Sequence, residues 1–171
     1  LPDTSEILSY LASVIADEQD LLGKRVLVTA GGTREAIDPV RFIGNRSSGK
    51  QGYAIAQAAL DRGAEVTILS ANVNLPDPVG ASVVRVESAK DLEIELERYF
   101  SNTDLLVMAA AVADARPAQV GTEKLKKDSY REISLVENPD LVAQISQQKR
   151  KQIIVGFAAE TSLNVAEANR K

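Results

Sequence analysis

The chain has 171 residues, 44% hydrophobic and 26% charged, which suits one α/β domain with a full core and argues against a second. Its 20 Lys and Arg against 24 Asp and Glu leave a net charge of −4, so there is no general field for nucleic acid or an anionic membrane, and an anionic ligand must be held locally. With no His and no Cys, a Ser-His-Asp triad, a thiol nucleophile, a zinc site of the usual ligands and an imidazole base are excluded within this chain.

No apolar run approaches the ~18 residues of a membrane span and no charged leader precedes a cleavage site, which points to the cytoplasm. The side chains that remain suit reactions run by positioning and charge neutralisation, foremost phosphoryl and nucleotidyl transfer. An unaided dehydratase using Lys or Glu also stays open.

Leu1 is not an initiator Met, so a fragment or a processed product is expected. Asp3 and Glu6 form a capping pattern, and Ile7, Leu8, Leu11, Val14 and Ile15 recur at helical spacing, predicting an amphipathic helix that Gly23 breaks. Lys24 and Arg25 lead into a strand over Val26–Ala30. Gly31 and Gly32 then remove side chains where the chain turns off the strand end, while Ser47, Ser48, Gly49 and Gly52 place bare N–H groups at the start of an Ala-rich helix. Phosphate or carboxylate is the natural guest there. The polar stretch between the two Gly clusters, Thr33–Asn45, far exceeds the roughly 2–6 residues of an ordinary βα connection.

Tyr53, Ile55, Ala56, Ala59 and Leu60 give that helix an apolar face, and Gly63 stops it. A strand over Glu65–Ser70, a loop over Asn72–Gly80 and a strand over Ser82–Val86 follow. Ser88 caps a helix whose Leu92, Ile94, Leu96, Tyr99 and Phe100 are partly buried, and Asp104–Ala111 reads as a strand inside a parallel sheet. The alternation predicts an α/β fold: a three-layer, doubly wound, mostly parallel, Rossmann-like sheet that binds ligands past the carboxyl ends of its strands. From Asp114 the chain turns polar, with Pro117, Gly121 and the cations Lys124, Lys126 and Lys127, and predicts a flexible flap or β-hairpin arm. A strand over Ile133–Val136, a helix over Pro139–Gln147 capped by Asn138, and a buried strand over Gln152–Ala158 complete the pattern. Glu160 and Thr161 follow at that strand's carboxyl end, and the last ten residues begin a helix.

Gly44-x4-Gly49-Lys50 imitates a phosphate-binding loop, but Gln51 stands where Ser or Thr would hold Mg²⁺. GGTREA lacks the G-x-G-x-x-G spacing, which demotes a nicotinamide-dependent reductase. Asn45 either donates its amide to an acyl or phosphate oxygen or simply tolerates a turn, and spacing leaves the two level. Lys124 reads as a solvated charge or as the cation of a flap closing on phosphate. Asp114, after AAAVA, reads a base amine, binds metal or caps a turn. Phe157 belongs to the core or stacks on a base.

The run GGTREAIDPVRFIGNRSSGKQGYAIA, followed in order by AAAVADARP, EKLKK, NPD and VGFAAET, resembles phosphopantothenate–cysteine ligase, the synthetase half of the bacterial bifunctional coenzyme A biosynthesis flavoprotein. The likeness covers roughly Lys24 to Thr161 and rests on several separate motifs. It implies a two-step ligase. CTP activates the carboxylate of 4′-phosphopantothenate as an acyl cytidylate, and the amine of cysteine displaces CMP.

On that resemblance, Asn45 of the NRSSG motif holds the acyl intermediate, and Lys124, the first Lys of EKLKK, serves cytidylate formation from a flexible flap. Ala109, Ala110, Ala111, Asp114 and Phe157 match the cytidine pocket. Gly31 and Gly32 are assigned to the nucleotide, and Ser47, Ser48 and Gly49 to substrate. Arg41 lies in the segment that reaches toward the partner subunit of a homodimer. Mg²⁺ accompanies the triphosphate, with ligands left unassigned. The resemblance makes 1–23 the linker to a flavin-dependent decarboxylase domain, so no FMN is expected in this chain. It makes 24–171 a synthetase domain lacking its C-terminal helix, further Lys residues and closing strand. The alternatives are a non-catalytic nucleotide-binding module and, on fold analogy alone, the reductase.

Overall fold

A computed structural model describes residues 19–126 and 132–157. In chain order its elements are β1 (Arg25–Gly31), β2 (Arg34–Ala36), β3 (Phe42–Gly44), α1 (Lys50–Asp61), β4 (Glu65–Ala71), β5 (Ser82–Val86), α2 (Ala89–Phe100), β6 (Leu105–Met108), β7 (Ala115–Pro117), β8 (Leu135–Glu137), α3 (Leu141–Gln147) and β9 (Ile153–Gly156). Five of these strands form one sheet in the order β5-β4-β1-β6-β9, and every pairing in it is parallel. The doubly wound sheet read from the sequence is the fold observed.

Parallel strands are covered on both faces, so their residues divide between two cores. Val26, Val28 and Ala30 point into the layer built by Tyr53, Ala56 and Ala59 of α1. Leu27 points the other way, into the layer of Leu92, Leu96, Phe100, Leu141 and Ile145 from α2 and α3. On α2 the buried Ala89, Leu92, Leu96 and Phe100 share one face, which leaves Ile94 on the opposite side at 49% exposure rather than partly buried as predicted. Ser88 does cap α2, as predicted, in a capping box closed by Asp91.

Gly52 brings α1 onto the sheet. A Cβ there would lie 2.6 Å from the Cβ of Ala30 and 3.0 Å from the carbonyl oxygen of Thr29, so only a residue without a side chain lets the helix approach this closely.

Several boundaries differ from the sequence reading. The predicted buried strand Gln152–Ala158 is β9, Ile153–Gly156, which ends the sheet among the described residues and leaves Ile153 62% and Val155 40% exposed. The polar stretch after β1 is not an open loop, because β2 and β3 pair within it as an antiparallel hairpin. The β6 ladder stops at Met108 rather than Ala111, because the hydroxyl of Thr29 accepts the N–H of Ala110 at 3.0 Å and draws the chain out of the ladder. A single bridge between Gly32 and Ala111 continues the contact. The cap of α3 is Asp140, whose carboxylate accepts from the N–H of Ala143 at 2.9 Å, while Asn138 is occupied elsewhere. The predicted strand Ile133–Val136 is β8, displaced to Leu135–Glu137 and paired with β7 as the base of an arm. The predicted N-terminal helix, Lys127, Ala158, Glu160, Thr161 and the closing helix lie outside the described residues.

Replacing Gly by Ala inside a helix ordinarily stabilises by roughly 0.5–1 kcal/mol, whereas overpacking costs about 1–3 kcal/mol. Gly52→Ala is therefore expected to lower stability in urea denaturation, reversing the usual sign. Gly156→Ala, where a Cβ meets nothing within 4 Å, serves as a control that stays within about 0.5 kcal/mol.

Candidate functional site

The winding of the chain reverses at β1, whose neighbours are β4 on one side and β6 on the other. Ligands of such sheets bind in the crevice that opens beyond the strand ends at this point. Gly31, Gly32 and Thr33 form one wall and Ala109–Asp114 the other. The walls are laced together: Ala111 donates to the carbonyl of Gly31 at 2.7 Å, Thr33 donates to the carbonyl of Ala111 at 3.2 Å, and the fully buried Thr33 hydroxyl accepts from Ala113 at 2.9 Å. Composition alone did not single out Thr29 and Thr33, since buried Thr is common in strands.

Gly31 has φ 89° and a Cβ there would sit 2.0 Å from the carbonyl oxygen of Ala71. The N–H of Gly32 donates to that same carbonyl at 3.0 Å. This Gly32 amide is engaged within the protein, and the pair acts by permitting close approach. At Gly32 the segment that comes close is the predicted Asn45 turn: a Cβ would stand 2.8 Å from the Asn45 carbonyl oxygen and 3.4 Å from the Ser47 Cβ.

Asn45 itself crosses to the opposite wall, its side-chain amide donating to the carbonyl of Val112 at 2.9 Å. Ser47 and Ser48 are exposed beyond it. The N-cap of α1 is Gly49, at φ 75° with no side-chain cap and no acidic residue in the first turn. The positive end of this 12-residue helix therefore carries no carboxylate of its own. Gly31, Gly32, Asn45, Ser47 and Ala109–Ala111 are thus brought together. Asp114 stands exposed at the far lip, its main-chain carbonyl held by the N–H of Asn138 at 2.8 Å. Phe157 is not in the core; it is 51% exposed at the end of β9, with its N–H donating to the carbonyl of Met108 at 3.3 Å.

The Lys124 segment and Arg41 meet at a second focus, the tip of the β2–β3 hairpin. The Asp38 carboxylate, with no exposed side-chain surface, accepts at Oδ1 from the N–H groups of Val40 (2.8 Å) and Arg41 (2.9 Å) and at Oδ2 from that of Leu125 (3.1 Å). Arg41 donates to the carbonyl of Leu125 at 2.9 Å, and the N–H of Gly121 to the carbonyl of Ile37 at 2.9 Å. The Lys124 segment, predicted to be a flexible flap, is tied down on both sides of an exposed Lys124. Sequence reasoning missed Asp38, whose only signal was the Asp-Pro turn it opens.

The hairpin is fastened at its base as well. Buried Glu35 on β2 accepts the N–H of Ala89 at 2.9 Å, helping to cap α2 from outside, and Arg34 lies 4.6 Å from the centre of the Phe42 ring. A cleft of about 580 Å³ opens at the ends of β4 and β5, lined by Ser70, Asn72, Arg85 and Glu87 among others. It contains none of the predicted site residues. Its cation is already spent, because Arg85 pairs with both oxygens of Asp77 at 2.6 and 2.9 Å.

A doubly wound α/β domain with its polar turns gathered at the switch point is the class that this geometry defines. The chain belongs to the DNA/pantothenate metabolism flavoprotein C-terminal domain family, which it matches over residues 21–171. It is 49% identical over 175 residues to the coenzyme A biosynthesis bifunctional protein CoaBC of Mycobacterium tuberculosis, covering 94% of this chain and 42% of that protein. It is 47% identical over 155 residues to the protein of the same name from Vibrio vulnificus, covering 88% of this chain and 39% of that one. The crystal structure of the C-terminal domain of CoaBC superposes with TM-score 0.80 at 42% identity, over 90% of this chain and 74% of that one. The DNA/pantothenate metabolism flavoprotein from Streptococcus pneumoniae, 24% identical with TM-score 0.75, shares the fold over 86% of this chain and 76% of its own. The chain spans about two-fifths of the length of the bifunctional relatives. The family read from the motifs is the family found.

Burial pushes the Asp38 carboxyl up, but the N–H donors of Val40, Leu125 and Arg41 and the charge of Arg41 outweigh it and hold the group below its ordinary 3.8. A depressed folded value means the stabilisation is complete above 3.8 and lost as pH falls through the folded value. The Leu125 amide resonance is accordingly expected to hold steady in NMR from about pH 8 to about pH 5 and to move only in stronger acid. A midpoint near neutrality would contradict the assigned contacts.

Proposed function

We propose that this chain carries the CTP-dependent ligation of 4′-phosphopantothenate with L-cysteine, giving 4′-phosphopantothenoylcysteine for coenzyme A biosynthesis through an acyl cytidylate. The observation that carries the reading, beside family membership, is the reach of Asn45 to the Val112 carbonyl. It joins the Asn-Arg-Ser-Ser-Gly turn to the Ala-rich strand end across one crevice, so that an acyl phosphate anhydride can lie between them.

In the first step a carboxylate oxygen of phosphopantothenate attacks the α-phosphorus of CTP, and the bond to the β-phosphate oxygen breaks to release pyrophosphate. Two anions must approach, so the barrier is chiefly electrostatic. The uncapped start of α1 and the Lys124 ammonium are the groups that offset this charge. In the second step the cysteine amine attacks the acyl carbon, CMP leaves and the amine loses its proton. Asn45 holds the acyl intermediate through both steps. Asp114 accepts from the exocyclic amine of cytosine, where uracil would present a carbonyl, and the exposed Phe157 ring offers a face to the base.

Among the described residues no three His, Cys, Asp or Glu side chains gather as a cation site. The donor set suits a Mg²⁺ carried mainly by the nucleotide's phosphates, where it screens their charge when bound. The exposed Val40 and Phe42 of the hairpin and Leu135 and Val136 of the arm support a homodimer, with the segment that contains Arg41 lying toward the partner. No described helix is long and apolar enough to cross a membrane, and a metabolic ligase of this kind belongs in the cytoplasm beside its decarboxylase domain.

The reading is tested by pyrophosphate release from CTP in the natural full-length protein, expected only when phosphopantothenate is present. Mass spectrometry of quenched reactions should find no acyl cytidylate in Lys124→Gln; unchanged accumulation would remove Lys124 from the first step. Asp114→Asn should narrow the preference for CTP over UTP by roughly 1–3 kcal/mol, at least about fivefold in relative kcat/KM. An unaltered preference would remove Asp114 from base selection.

A further inference from the structure

We propose that Asp38 is a positioning residue for Lys124: its enclosed carboxylate grips the peptide adjoining Lys124 and sets where that ammonium is delivered. The inference rests on the role of Lys124 in the ligase reading and extends it to a residue that no motif assigned.

An Asp-Pro turn needs one carboxylate oxygen, and here Oδ1 satisfies it by accepting from Val40 and Arg41. The second oxygen is spent 87 positions away, on the N–H of Leu125. A carboxylate shut off from solvent is costly unless every lone pair is met, so this second contact is a constraint on the distant segment as much as a comfort to Asp38. Arg41 completes the grip. Its guanidinium lies 3.6 Å from Asp38 Oδ2 and donates to the Leu125 carbonyl, so residue 125 is held by its N–H on one side and its C=O on the other. Upstream, Gly121 is bonded to Ile37, and a Cβ on Gly121 would stand 3.5 Å from the Asp38 Cβ. The segment 121–125 is therefore a short loop pinned at both ends to one hairpin tip, with Lys124 exposed on it beside Thr122 and Glu123. Because the same hairpin leads through Gly44 directly into Asn45, one rigid piece relates the residue that holds the acyl group to the cation that serves its activation.

Asp38→Asn separates the two functions of the carboxylate. The amide oxygen keeps the turn by facing Val40 and Arg41, which directs the NH2 group at the Leu125 N–H and the Arg41 guanidinium, donor against donor. In the natural full-length protein, hydrogen exchange over 121–126 is expected to accelerate at least about tenfold, with β1 and β6 unchanged. At saturating CTP and phosphopantothenate, kcat for pyrophosphate release is expected to fall at least about tenfold while the KM for CTP stays within about threefold. Leu125→Pro, which deletes the gripped N–H and leaves Asp38 in place, should reproduce the same split if Asp38→Asn does not fold.

Unchanged exchange over 121–126, or an unchanged kcat for pyrophosphate release, would overturn the proposal. If the unaltered protein releases no pyrophosphate, the ligase reading falls instead. Exchange then decides the grip alone: local acceleration upholds it and none refutes it.

Discussion

The burial of β1 on both faces and along both edges is the constraint on which the site depends. Its residues are solvent-free from Val26 to Gly31, and its register with β4 and β6 is set by continuous parallel ladders. That register makes the Gly pair and the Ala-rich segment end side by side, and the hydroxyls of Thr29 and Thr33 then bind the segment that the ladder releases. A crevice made this way needs no flexible groups to assemble it. Its backbone is fixed by hydrogen bonds that also close the core.

Upon this frame the hairpin of β2 and β3 acts as a bracket. Glu35 anchors its base to α2, and Asp38 and Arg41 at its tip hold the segment that carries Lys124. Asn45 follows its outgoing strand and reaches back across the crevice. In a chain without imidazole or thiol, chemistry must come from charge delivered to the right place. A small antiparallel unit packed against a parallel sheet is a stiff way to deliver it.

The sheet was legible because parallel strands read as unbroken apolar runs, VLV, VTIL and LLVM, separated by helices of amphipathic period. The hairpin was not, because strands of three residues are too short to show a period of two. The end of β6 was misplaced for a different reason: AAAVA continues the apolar composition past the point where the Thr29 hydroxyl takes over the Ala110 N–H. At Asn138-Pro139-Asp140 two residues of equal capping ability compete. Asn138 is withdrawn by its bond to the Ala113 carbonyl at 2.8 Å, a tertiary fact. Motifs singled out Asn45 and Lys124 as individual residues. The grip of Asp38 on Leu125 was invisible, since nothing local to either residue announces a partner so far along the chain.

The pairing of Val26 with Leu105 also governs when the crevice can exist. The two walls are separated by most of the domain, so the loop-closure entropy for joining them falls due only after two complete βα units have condensed. While the protein is being made, the two walls of this crevice cannot meet until the ribosome has released the stretch beyond Ala113. The emerging nascent polypeptide therefore passes through its early stages with its β1 edge still waiting for the strand that completes the crevice.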